Sequence, residues 1–115
     1  MRPIPKSMLI HSAAVSKEIN SDWSSSNLER LGMLKDIRLE PSSKVVRDKN
    51  NKEIQLSATL FFDCKNSEGD TALLKEDNIL DFQGERYRIV AVDPLYERRR
   101  LHHYEVGVVR YAGKR

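Results

Sequence analysis

His11, His102, His103 and Cys64 are the side chains from which a transition-metal site or a Cys–His nucleophile pair would have to be built. Their spacing argues against both. Adjacent residues of an extended segment point to opposite sides, so His102 and His103 are not expected to share a metal. Cys64 closes a strictly alternating apolar series and is expected in the core as a small inert residue. A zinc site needs three or four converging ligands, and a cysteine nucleophile needs a base held by a third group. The carboxylates are scattered, and no Gly-rich phosphate loop is present. The chain therefore reads as a non-enzyme, with no catalytic, metal or cofactor residues assigned.

The basic residues are more suggestive. Arg98-Arg99-Arg100 is the strongest charge run, with Tyr96 before it and Leu101 after it. Arginines interleaved with an aromatic suit phosphate contacts, and equally suit carboxylates on a neighbouring subunit. A second set, Lys44, Arg47, Lys49 and Lys52, surrounds Asn50-Asn51, two residues that tolerate turn conformations. Asp48 and Glu53 partly cancel its charge. The net charge is +3, unevenly spread: residues 86–115 hold 8 basic and 3 acidic groups, residues 1–85 hold 12 and 14. This pattern describes either a solvated face or a surface for nucleic acid or an acidic partner. The single Trp23 lies among serines, as a partner-binding anchor or as a cap on the chain's own barrel.

These residues need a scaffold, and the scaffold is built on residues 77–111. Asp77–Val92 reads as strand, tight turn at Gly84, strand. Tyr87, Ile89 and Ala91 share one face and Arg86 and Arg88 the other; Val90 and Val92 then make the run apolar on both faces. The run is expected to stop at Asp93-Pro94, since proline cannot donate to a ladder. Tyr104–Tyr111 returns as a further strand. Upstream, Ile37 and Leu39 alternate with Arg38 and Glu40. Ile54, Leu56, Ala58, Leu60, Phe62 and Cys64 alternate with polar residues, broken only by Phe61, as one long half-buried strand. Thr71–Glu76 suits a single helical turn or a connector. Residues 1–30, led by Pro3 and Pro5 and rich in serine, read as an extended arm that is mobile until assembly orders it. The expected fold is all-β: a small antiparallel barrel of five or six strands over residues 31–115, with long loops and an arm over residues 1–30.

Length and composition agree with one such domain. The chain has 115 residues, 39% hydrophobic and 32% charged, too apolar for disorder and without an apolar run long enough to span a membrane. It opens on no apolar signal-peptide segment, and synthesis in a cytoplasm is expected. One cysteine excludes an internal disulfide.

Pro3-Ile4-Pro5 with Met8-Leu9-Ile10-His11-Ser12, the hairpin Gly84-Glu85-Arg86-Tyr87-Arg88-Ile89, and Leu101-His102-His103-Tyr104-Glu105-Val106 together resemble the minor capsid proteins of tailed bacteriophages, small head-completion proteins. The motifs are short, and their order covers the whole length. The resemblance implies a small barrel with extended termini, structural and not catalytic, made in the bacterial host and carried at the head–tail interface of the virion. It implies a homo-oligomeric ring, a dodecamer ahead of a hexamer, below a portal or adaptor ring. A tail-completion protein would lie on the other side and packaged double-stranded DNA in the channel. Some such proteins act as stoppers, closing the channel with a loop between strands. Pro41–Lys52 is the loop expected in that position, with Lys44, Arg47, Lys49, Asn50, Asn51 and Lys52 facing DNA. Trp23 and Arg98–Arg100 are then assigned to subunit and partner contacts. The competing reading is a monomeric nucleic-acid-binding small barrel of OB-fold scale, which would need exposed aromatics beside basic residues on one strand face.

Overall fold

A computed structural model describes residues 2–20 and 26–111. Eight strands follow in order: β1 (His11–Asn20), β2 (Ser26–Pro41), β3 (Val45–Arg47), β4 (Glu53–Gln55), β5 (Ala58–Asp63), β6 (Ile79–Phe82), β7 (Glu85–Glu97) and β8 (Arg100–Arg110). Six of them close into an antiparallel barrel in the order β1-β2-β5-β8-β7-β6, and β3 and β4 pair as a separate hairpin. The described helices are two three-residue 3-10 turns, Lys6–Met8 and Thr71–Leu73, the second capped by the Asp70 carboxylate. The all-β barrel expected from the alternation is thus what forms.

The ring is uneven. β7 and β8 pair along nearly their whole length, from Tyr87–Arg110 to Glu97–Arg100. The closing seam between β1 and β6 has three pairs, Ala14–Asp81, Val15–Leu80 and Ser16–Ile79. Strands that outrun their barrel partners continue as two-stranded ribbons. The molecule accordingly measures 49 × 28 × 24 Å along its principal axes.

The core gathers the inward side chains of every barrel strand. Val15, Leu34, Ile37, Leu60, Leu80, Ile89, Val106 and Val108 are fully buried, with Phe82, Tyr87, Val92 and Tyr104 packed against them. The faces read from Ile37, Leu39, Leu60 and Ile89 are those observed. The turn at Gly84 forms as expected, with Gln83 and Gly84 both at positive φ, as a two-residue hairpin linking strands of right-handed twist requires.

Three expectations are corrected. β7 does not stop at Pro94 but pairs on to Glu97. Beyond Arg88 its only strand neighbour is β8, so Pro94 sits on an edge where no donor is missed. The long strand read over 54–64 is two, β4 and β5, because the chain crosses between sheets at Leu56-Ser57: Leu56 N–H donates to Lys44 and Ser57 N–H to Val108. Cys64 is exposed, since β5 ends at Asp63 and the buried side chain there is the carboxylate.

Residues 1–30, set apart as an arm, contain all of β1, a barrel strand with Ala13 and Val15 in the core, and the start of β2. β1 shows no alternation to read, because Ala13, Ala14, Val15 and Ser16 are buried in succession; the two β1–β2 register shifts place their extra residues on β2. Trp23 lies outside the described residues.

Candidate functional site

The Lys44–Lys52 segment is built by an aspartate. Asp48 Oδ1 accepts the Asn50 and Lys52 N–H groups, each at 2.9 Å, and the Asp48 C=O accepts Asn51 N–H. Asn51 takes φ +62, which asparagine tolerates better than most residues. Asn50 and Asn51 therefore do lie at a bend, as their type implies. The tip folds back on the barrel: Lys49 Nζ meets Asp77 Oδ2 at 2.5 Å, and Arg88 reaches the other oxygen at 3.4 Å. Arg47 pairs with Glu53 at 3.6 Å and donates to the Asn51 carbonyl. Lys44, Lys49, Asn50, Asn51 and Lys52 are all exposed. At the base, Leu56 covers the outer side of β8, where a Cβ on Gly107 would come within 2.8 Å of its side chain.

The Lys49–Asp77 clip has a defined pH window. Its hydrogen bond holds the Asp77 carboxyl below the usual carboxylate range, against partial burial and with help from Arg88. The same bond raises Lys49. A depressed carboxyl stabilises above its ordinary pKa and loses that contribution as pH falls through the folded value. A raised amine stabilises below its ordinary pKa and loses it as pH rises through the folded value. The clip is expected to hold from mildly acidic to strongly alkaline pH. Hydrogen-exchange protection across residues 47–52, taken relative to the intrinsic rate at each pH, should fall in acid, in high salt and in Asp77→Asn, with little change in global stability because the pair is exposed. Unchanged exchange in Asp77→Asn would show that the clip does not hold the hairpin.

Arg98–Arg100, likewise exposed, lies at the tip of a different hairpin. β7 and β8 outrun β5, whose last pair is Asp63–His103, and continue as a ribbon whose two-residue turn is Arg98-Arg99. All three arginines are exposed, as are Leu95 and Tyr96 beside them. Arg98 takes φ +58, where Asn or Gly is the ordinary choice.

The histidines also depart from expectation. The register shift between Leu95 and Tyr96 leaves His102 as the unpaired residue of a bulge on β8, which breaks the alternation. His102 and His103 therefore meet edge to face, with Nδ1 atoms 2.7 Å apart. His103 Nε2 lies 3.1 Å from Glu105 Oε2, and its ring stacks on Phe61. His11 is separate from them: its Nδ1 accepts the Leu39 N–H at 3.0 Å and its ring abuts Phe82. Burial and then the nearby Arg38 lower its pKa, in keeping with a neutral structural acceptor. Among the described residues, no three His, Cys, Asp or Glu side chains converge as metal ligands.

Two groups with defined jobs were passed over in the sequence. Asp63, on the nominally wet side of its strand, is fully buried, and its Oδ2 accepts the Lys65 and Asn66 N–H groups. Asp77 anchors the basic hairpin. The signal available was Asp63-x-x-Asn66-Ser67, an acceptor opening a turn.

A family model described as minor capsid protein matches residues 5–108. No curated protein and no solved structure matches the chain.

Proposed function

The chain belongs to the minor capsid protein family, and we propose that its part in the phage virion is that of a head–tail connector subunit. In this reading it forms a ring below the portal or adaptor, joins the tail-completion protein on the other side, and helps retain packaged DNA. The observation that carries the reading is the β7–β8 ribbon. Its tip places three exposed arginines at a turn, one of them at a φ that costs an arginine more than an asparagine or glycine. Exposed Leu95 and Tyr96 lie just below it, and Ile19, Leu31 and Met33 are exposed on β1–β2. Such side chains suit a surface covered by neighbours. Arginine forks carboxylates, so the tip suits an acidic partner surface. Trp23, in the β1–β2 connection, joins this contact set as a proposed anchor.

The hairpin Lys44–Lys52 takes the DNA-facing role. Lys44 and Lys52 are exposed, and Lys49 is held by a salt-sensitive clip that a phosphate can replace. Shortening residues 47–51 should leave rings that assemble on filled heads but leak DNA. Retained genome per isolated head is the measurement; heads that keep their DNA would remove the hairpin from this role.

A further inference from the structure

Residues 2–8 contain no buried side chain, yet their backbone is held at four points, one of them the Met8 carbonyl, which accepts from Arg38 Nη1 at 3.2 Å. The Ile4 N–H donates to Asp63 Oδ1 at 2.9 Å, the Ile4 carbonyl accepts from Asn66 Nδ2 at 2.8 Å, and the Arg2 carbonyl lies 2.6 Å from His102 Nε2. We propose that Asp63, Asn66 and His102 form a receiving site for an extended, proline-flanked peptide, and that in the assembled ring it takes residues 2–8 of a neighbouring copy in place of its own. The exchange rests on the ring reading above.

The site presents a shaped acceptor. With the segment in place Asp63 is fully buried; Oδ2 is committed to the Lys65 and Asn66 N–H groups, and Oδ1 is turned toward the Ile4 N–H. An occupant that supplies this N–H makes a hydrogen bond to a charged group. Recognition falls on both backbone groups of one residue, so what the site reads is extended main chain. Proline on each side of Ile4 supplies that shape in advance; Pro5 sits at φ −60, ψ 141, and little entropy is lost on docking.

The occupant is separable from its own barrel. The anchoring residue is Leu9, buried next to the exposed Ile10 and the start of β1. Ile4, which makes two of the three bonds to the receiving residues, stands five residues ahead of it, roughly 17 Å when the Lys6–Met8 turn is opened and the chain fully extended. A segment pivoting at Leu9 makes the same bonds on an adjacent barrel whose Asp63 lies within that reach. Each copy gives a segment and receives one, the head-to-tail arrangement from which closed rings are made.

Pro3 and Cys64 line one cleft beside Asp63, and Cys64 is the chain's single cysteine. Pro3→Cys with a short bismaleimide reads out which copy donates the segment. In dilute subunits the cross-link is expected within one chain, at monomer mobility on a denaturing gel. In rings sized beforehand by light scattering, the monomer band should be lost to an interchain ladder, and P3C/C64S should abolish that ladder. Rings that give only the intrachain product overturn the exchange and leave the ring reading standing. A ladder surviving in P3C/C64S, or no cross-link in either state, also overturns it, because the segment then does not sit on Cys64. Failure to form rings at any concentration or with the portal overturns both.

Discussion

Leu60→Ala is expected to cost roughly 2–5 kcal/mol, and Ile89→Ala the same, as for other buried aliphatic truncations. Both residues are fully buried, on strands paired at both edges: β5 lies between β2 and β8, and Ile89 opposes Val108. A small barrel has no second core to absorb the cavity. Against a total of about 5–15 kcal/mol, either change can leave the domain largely unfolded at 37 °C. Thr59, one residue away, points to the other side and is only partly covered. Thr59→Ala should lower the denaturant midpoint far less than Leu60→Ala. Equal losses at the two positions would mean that the faces of β5 are misassigned.

Replacing Arg98, Arg99 and Arg100 with Ser is expected to stop the protein joining heads, while its melting temperature stays close to that of the parent. Stability is spared because all three side chains are exposed and Ser suits a turn. Assembly is not, because a charge-assisted hydrogen bond at an interface is worth about 1.5–3 kcal/mol. Losing one per contact is about ten- to a hundredfold in affinity, and a ring repeats the loss at every subunit. Protein bound per isolated head should fall to background. The hairpin shortening has the opposite signature, with normal occupancy and lost DNA. If the arginine variant assembles and leaks while the shortened hairpin retains DNA, the two roles are reversed.

Much of the fold was legible because period-two alternation reports directly on which face is buried. Ile37, Leu39, Leu60, Phe62 and Ile89 all fell where alternation put them. What was illegible lies in runs buried on both faces, and at bulges and crossings, where one extra residue resets the period. β1 was missed because its small residues Ala13, Ala14, Val15 and Ser16 are buried in succession and leave no alternation to read, and the paired histidines because His102 is itself a bulged residue. Cys64 was misplaced because a strand's end cannot be read from a pattern that continues past it. Of the candidate residues, the types at the two hairpin tips were legible and their partners were not. Lys49 with Asp77 and Asp63 with Ile4 are separated by 28 and 59 positions, and no local spacing reveals such pairs.

Particle mass in solution, measured by mass photometry with and without a portal ring, tests the connector reading most directly. The expected result is a closed ring, alone at high concentration or on the portal, together with loss of the free subunit. A strict monomer that ignores the portal and binds single-stranded DNA would contradict it and favour a nucleic-acid-binding barrel.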